Sequence, residues 1–412
     1  MPGPGIELIG EEEIAEVLEV MNSGFLSRYG PADDPRFLAK THRLEEEVAA
    51  LSGTRHALAL SGGGSAALWI ALLSLGVGAG DEVIVPGFTF VASISSVVYT
   101  GATPVLAEVD DTFDLDPVDV EAKITPRTKA IIVVHMLGAP AQMDALKAVA
   151  DRHGIPIVED CCQAFGATYR GRGVGSMGAI GAFSFNEYKT ITCGDGGMVV
   201  MSDDELYERA FAMHDQGHAP FRLESRYAPR PFLGMNFRMT ELPAAVLLGQ
   251  LKKLDRIKAH LRENKAIVRD MLEEVPAIEY RRIDDPEGEI ATHLVTTLPT
   301  PEIASAVAAE VGAITLDQSG WHVYSKMNHL IEQRTVTGKG FPFDMPADDH
   351  PVPDYRPGAL PRTDELLSRS ISIGIGIKDP NLAAFGLRMR DGEAEARTVA
   401  ATFRDAVIRN LR

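Results

Sequence analysis

Short apolar runs rich in β-branched residues recur through the first half of the chain, at 57–61, 83–86, 104–109, 130–134, 155–159, 181–185 and 198–201. Each has strand length, and near-continuous apolar character marks strands buried on both faces. Helix-period patterns lie between most of them, at 65–75, 90–99, 143–153 and 204–212. That rhythm predicts an α/β fold around a seven-stranded, mostly parallel sheet with helices on both sides. The last two runs have only the loop 186–195 between them, so antiparallel pairing is expected there.

Outside that alternation, residues 11–21 read as an amphipathic helix with Ile14, Val17, Leu18 and Met21 on one side and Asn22, Ser23 and Gly24 as its stop signal. It is expected to pack as an arm. A helical pattern at 240–272 carries Leu247, Leu248, Leu251, Leu254 and Ile257. The Thr240 hydroxyl is its expected cap, with Pro243 tolerated in the first turn. Beyond 278 come a strand at 292–297, a helix at 301–311, an irregular Pro- and Asp-rich segment at 341–361 and a final helix at 393–410. The expected division is an N-terminal arm over 1–34, a large domain over 35–255 and a smaller C-terminal α/β domain over 256–412.

Composition changes this picture little. With 45% apolar and 24% charged residues, the 412-residue chain has ordinary globular usage. A net charge of -18 argues against a nucleic-acid surface. Three cysteines, two of them adjacent (Cys161 and Cys162), give no spaced disulfide framework and suit a reducing cytoplasm. The first residues lack the basic and apolar regions of a secretory signal. The most apolar stretch, 66–77, is shorter than the roughly 18 residues of a spanning helix, so no membrane association is expected.

Sheets of this kind collect ligands at the carboxyl ends of their strands, where Asp160 and Ser184 fall. Lys189 follows in the loop, ahead of Gly194, Gly196 and Gly197. A lone lysine in a glycine-rich loop is usually just solvated, and an isolated aspartate after a strand is as often a cap. Together they suggest a site for pyridoxal 5′-phosphate. That aldehyde needs a lysine to hold it as a Schiff base, a carboxylate to keep its pyridine nitrogen protonated, and donors for its phosphate. Gly62, Gly63, Gly64 and Ser65 follow a strand and open a helix, so their N–H groups make a phosphate cradle to which Ser184 adds a hydroxyl. Gln163 is within reach of the cofactor's phenolic oxygen, whereas Phe90, an aromatic near a helix start, is more often core, and its stacking on the ring depends on the family resemblance below.

Three other patterns are set aside. Gly173, Gly175 and Gly178 match G-x-G-x-x-G but precede a strand instead of linking strand to helix. His214 and His218 have zincin-like spacing, yet Gly217 and Pro220 weaken a helix and Asp215 stands where glutamate is needed; loop histidines near a substrate are the better reading. Asp110, Asp111, Asp114 and Asp116 lack the glycine and distal glutamate of a calcium loop and read as a solvated turn.

Read together, these residues resemble the DegT/DnrJ/EryC1/StrS family of sugar aminotransferases, of pyridoxal phosphate fold-type I. The resemblance covers nearly the whole chain and rests on segments 80–86, 88–93, 101–104, 159–166, 184–197 and 236–241. Segments 134–138, 189–194 and 321–324 most resemble members that make 8-amino-3,8-dideoxy-octulosonate, an amino sugar of lipopolysaccharide. The family would imply Lys189 as the catalytic Schiff-base lysine, Asp160 on the pyridine nitrogen, Phe90 on the ring face, and Gly64, Ser65 and Ser184 at the phosphate. It would add Asn236, reaching the phosphate from the neighbouring subunit of a homodimer with shared sites. Asn186, His218 and His322 would face the sugar. The implied reaction passes an amine from glutamate or glutamine, through pyridoxamine 5′-phosphate, to a keto or aldehydo sugar. A pyridoxamine-dependent sugar dehydratase, in which histidine replaces the lysine, and a non-catalytic cofactor-binding regulator are the alternatives. No metal is expected.

Overall fold

The structure is a computed structural model that describes residues 3–220, 232–338, 340–344 and 352–412; part of the 341–361 segment lies outside them. Nine short strands precede residue 202: β1 (His56–Leu60), β2 (Glu82–Pro86), β3 (Thr103–Ala107), β4 (Thr128–Val134), β5 (Ile157–Asp160), β6 (Thr168–Tyr169), β7 (Arg172–Gly173), β8 (Ile180–Ser184) and β9 (Gly197–Met201). Seven of them form one sheet in the order β1-β9-β8-β5-β4-β2-β3, while β6 and β7 make a separate hairpin. β3, β2, β4, β5 and β8 run parallel. β9 is antiparallel to both β8 and β1, as the short 186–195 connection requires.

Alternate residues of each strand feed two cores. Leu58, Val83, Val85, Ile132, Val158, Ala182 and Val199 meet Leu68, Ala71 and Leu72 of the helix Gly63–Ser74 on one face. Ala59, Ile84, Ile131, Val133, Ile157, Phe183 and Val200 meet Leu44, Val48, Leu146, Leu247 and Leu248 on the other. Each fully buried Leu, Ile, Val or Phe contributes about 1.5–3 kcal/mol, so a sheet buried on both faces is a rigid platform for whatever projects from its end.

A second, antiparallel sheet is built from β10 (Glu279–Tyr280), β11 (His293–Thr297) and β12 (Ser370–Gly374), in that order. The helices Leu254–Leu272, Pro301–Val311 and Glu393–Asn410 accompany it. Where one long helix was expected at 240–272, the structure has two, Glu241–Leu251 and Leu254–Leu272. They part at Lys252 and Lys253, where the buried Lys253 ammonium is held by the Leu8 carbonyl and Glu13 Oε2, each at 2.7 Å. Nor does the Thr240 hydroxyl cap the first of them. Instead Glu241 donates its N–H to the Leu26 carbonyl (3.0 Å), and its carboxylate accepts the N–H groups of Lys40 (2.6 Å) and Thr41 (3.1 Å). The carboxylate thereby satisfies orphan donors at the start of the helix Lys40–Ser52.

The arm helix, Glu11–Ser23, forms as expected but faces the other way. Ile14, Leu18 and Met21 are 56%, 54% and 56% exposed, whereas Glu13, Glu16 and Val20 are buried. Ion pairs explain the inversion. Lys253 holds Glu13, while Lys40 and Lys252 hold Glu16.

The acidic run also departs from a solvated turn. Asp114 is buried against Arg281 (2.8 Å) and accepts the Met136 N–H (3.0 Å); burial pushes its carboxyl up to about 6. Asp116 caps the helix Pro117–Lys123 through the Val118 N–H. Among the described residues, no helix is long and apolar enough to cross a membrane.

Candidate active site

β5 ends on Asp160, which lies opposite Val134 of β4 and Ala182 of β8. Its side chain is 4% exposed and fixed from two directions. Oδ1 accepts the Cys162 N–H (3.1 Å) and Oδ2 accepts the Ser93 hydroxyl (2.7 Å). Ser93 stands in the first turn of the helix Val91–Val98, 2.7 Å from the Thr89 hydroxyl. A carboxylate fixed by two neutral donors still has lone pairs open to a cationic partner.

Next to β5, β8 ends on Ser184, and the chain turns back through the loop that carries Lys189. The Lys189 N–H is donated to the Asn186 carbonyl (3.0 Å). Thr192 ties the loop's ends, donating to the Phe185 carbonyl and accepting from the Gly194 N–H, each at 2.9 Å. The N-terminal segment supports it from below. Gly3 donates its N–H to the Glu187 carbonyl (2.9 Å), and a Cβ on Gly3 would stand 2.2 Å from the Tyr188 carbonyl oxygen. No signal short of the folded contact marks that glycine.

The sheet end, this loop and the second sheet enclose a cavity of about 490 Å³. Of the residues singled out by sequence, Gly64, Ser65, Phe90, Asp160, Gln163, Ser184, Asn186, Lys189 and His322 line it. His218 and Asn236 do not. Asn236 is exposed, its side-chain oxygen accepting the Arg238 N–H (3.3 Å), and His218 donates its N–H to the Asp215 carbonyl (2.9 Å). Thr292, His293, Asp379 and Asn381 line the cavity without having been singled out. They sit about 100 to 190 residues after Lys189 in sequence, and only the docking of the second sheet brings them there.

The cavity's two ends differ in chemistry. At one, the helix Gly63–Ser74 begins behind left-handed Gly62 (φ 86°). A Cβ on Gly64 would come within 2.7 Å of Cys162 Sγ and 2.9 Å of Ser184 Cβ, so a side chain there would crowd this end of the cavity. Asp195 Oδ1 stands 2.7 Å from the corresponding point of Gly63, which leaves Gly64, Ser65 and Ser184 as the donors for an anion. At the other, His322 and His293 are 4% and 6% exposed. Burial, and then the nearby ammonium of Lys189, lowers His322 to about 3. Burial with the charges of Lys265 and Arg281 does the same to His293, so both rings are neutral. Phe90 lies at the mouth, its ring 5.3 Å from His322 and 6.3 Å from Trp321.

This set fits pyridoxal phosphate. A fixed carboxylate, a lysine, an anion cradle at a helix start and an aromatic wall surround one space of suitable size.

The patterns set aside have structural roles. The N–H groups of Gly175 (2.8 Å), Met177 (2.6 Å) and Gly178 bind the buried Glu159 carboxylate, which His135 Nε2 also meets at 3.1 Å. Glu159, His135 and Cys161 are close enough to suggest a metal, but these contacts already occupy the carboxylate. His214 is buried, with Nδ1 2.6 Å from the Phe211 carbonyl and Nε2 3.4 Å from Arg28.

A model of the DegT/DnrJ/EryC1/StrS aminotransferase family matches residues 7–378. The L-glutamine:2-deoxy-scyllo-inosose aminotransferase of Streptoalloteichus tenebrarius is 40% identical over 286 residues, 66% of this chain and 67% of the relative. The GDP-perosamine synthase of Caulobacter vibrioides is 44% identical over 253 residues, 61% of this chain and 64% of the relative. Among solved structures, 3-amino-5-hydroxybenzoic acid synthase superposes with a TM-score of 0.78 at 30% identity, covering 97% of each chain. An aminotransferase from Psychrobacter cryohalolentis does so with 0.80 at 28%, covering 100% of each.

Proposed function

Since the chain belongs to the DegT/DnrJ/EryC1/StrS aminotransferase family and is a pyridoxal phosphate-dependent transaminase, we propose that it moves an amine from glutamate or glutamine to a keto or aldehydo sugar. The acceptor we favour is C8 of a 3-deoxy-octulosonate, on the resemblance of residues 134–138, 189–194 and 321–324, which would place the product in lipopolysaccharide. Glutamine as donor has the support of a relative named for it. The observation that carries the reading is one cavity lined by both Lys189 and the doubly anchored Asp160.

Pyridoxal phosphate, when bound, supplies an aldehyde to take up the amine and a ring that draws electrons from the carbon losing its proton. Lys189 would hold the cofactor between turnovers, and its amine, when free, would move the proton at the substrate carbon. Asp160, oriented by Ser93 and the Cys162 N–H, keeps a proton on the ring nitrogen. Gly64, Ser65 and Ser184 bind the phosphate at the helix start. Phe90 would cover the ring face. Gln163, whose side-chain oxygen already accepts the Leu137 N–H (2.8 Å), offers its NH2 to the phenolic oxygen. Asn186 and His322 face the sugar.

The same reading makes the protein a homodimer. Asn236 lies outside its own chain's cavity, which suits a residue that serves a neighbouring subunit, and the exposed Ile14, Leu18 and Met21 supply an apolar face for a second copy.

The test is Lys189→Ala beside wild type, with L-glutamine or L-glutamate as donor. The acceptors are the C8 aldehyde of 3-deoxy-octulosonate and 2-deoxy-scyllo-inosose, and products are weighed by mass spectrometry. Wild type should form amino sugar over many turnovers and the variant none. A variant that keeps turning over contradicts the role of Lys189. A deoxy ketosugar free of new amine points to dehydration, and a cofactor that binds but never reacts points to a regulator.

A further inference from the structure

β11 begins with His293 at the wall of the cavity contributed by the second sheet, and the contacts behind its ring favour one tautomer. Nδ1 lies 2.9 Å from Thr292 Oγ1, which in turn lies 3.5 Å from the Leu137 carbonyl. A carbonyl only accepts, so the arrangement that satisfies all three groups has Thr292 donating to Leu137 and receiving the proton of Nδ1. In that tautomer Nε2 carries a bare lone pair. It is buried with no hydrogen-bond partner, on a residue 6% exposed that lines the same cavity as Lys189.

The backbone behind this relay is held in an unfavourable conformation. Leu137 has φ 57° and Gly138 φ 80°, and a Cβ on Gly138 would stand 2.5 Å from Thr292 Oγ1. The turn thus brings the Leu137 carbonyl to Thr292 while its N–H fixes Gln163. Left-handed backbone at a non-glycine residue beside a site is maintained by its surroundings. Here it sets one cavity group as a donor and another as an acceptor.

We propose that Nε2 of His293 is a specificity-determining acceptor that reads a hydroxyl group of the sugar. An unpaired buried acceptor is unfavourable unless a ligand completes it. The available ligand chemistry narrows the choice. Phosphate, carboxylate and phenolate oxygens bring no proton, whereas a sugar hydroxyl does, and the amino-acid half-reaction below separates that hydroxyl from the N–H groups of the amine donor. The ring stays neutral beside Lys189, Lys265 and Arg281, so it accepts throughout the neutral pH range. A site built to bond a hydroxyl rejects the analogue that lacks it far more strongly than an apolar pocket rejects an added group. The proposal rests on the sugar-aminating reading above and extends it to the acceptor's hydroxyl pattern.

The test compares wild type, His293→Phe and His293→Gln on whichever of the two acceptors named above wild type aminates better, and on its deoxy analogues. One deoxy analogue should lose about tenfold or more in kcat/KM with wild type. That loss should vanish in His293→Phe and partly return in His293→Gln, while the rate of the half-reaction with L-glutamine or L-glutamate stays within about twofold of wild type. In the cofactor-free protein, 15N NMR of labelled histidine should find Nε2 without a proton. A proton on Nε2, unchanged discrimination among deoxy analogues, or an equal loss in the amino-acid half-reaction would each overturn the proposal while leaving transamination intact. A wild type that aminates neither acceptor overturns the underlying reading and this one with it.

Discussion

Glu159 and Asp160 are adjacent acids with opposite surroundings. Asp160 is held by two donors and faces the cavity; Glu159 turns the other way into three backbone N–H groups and His135. Burial works against the Glu159 charge, yet those bonds hold its carboxyl below the usual range. Lys189, Asp160 and Ser184 were legible in sequence because they follow strands whose apolar runs mark the sheet end. Glu159 was not, because its partners at 175–178 look like a nucleotide loop until the fold brings the acid to them. Ser93, Thr89 and His293 were hidden for the same reason: each is defined by a neighbour in space. Glu159→Ala leaves those N–H groups unpaired and should cost at least about 1–3 kcal/mol, read as an earlier urea midpoint. An unchanged midpoint would show that the 175–178 loop does not depend on that carboxylate.

At the scale of elements, the seven main strands and the helices Met143–His153, Pro301–Val311 and Glu393–Asn410 were readable because their periodicity agrees with burial. The arm helix was readable as a helix but not in orientation. Hydrophobic pattern alone would bury Ile14 and Leu18, whereas ion pairs with Lys40, Lys252 and Lys253 turn Glu13 and Glu16 inward instead. The leucine pattern likewise runs through Lys252 and Lys253, where the helix breaks, because the bonds made by the buried Lys253 are non-local. A dimer that covers the arm's apolar face has a direct consequence. Leu18→Glu should halve the sedimenting mass and leave the far-ultraviolet spectrum unchanged; a mass equal to that of wild type would remove this face from the interface.

For the whole molecule, three of the buried histidines lead the response to acid. They are opposed in part by buried Asp114, whose carboxyl, raised to about 6, takes up its proton more readily in the folded chain than in the unfolded one. Burial, the leading cause in each case, lowers His214 to about 4 and both His293 and His322 to about 3. The unfolded chain takes up these protons near pH 6.5 while the folded chain refuses them. Their contribution to stability is therefore complete above about pH 6.5 and falls by roughly 1 kcal/mol per histidine per pH unit as pH drops toward the folded values. Urea midpoints should decline from about pH 6.5 downward, less steeply in His293→Phe; a flat profile to about pH 5 would contradict the burial of these rings. The most direct test of the central claim uses the holoenzyme. Borohydride reduction followed by proteolysis and mass spectrometry should find the pyridoxyl group on Lys189, and its appearance on any other lysine would contradict the account.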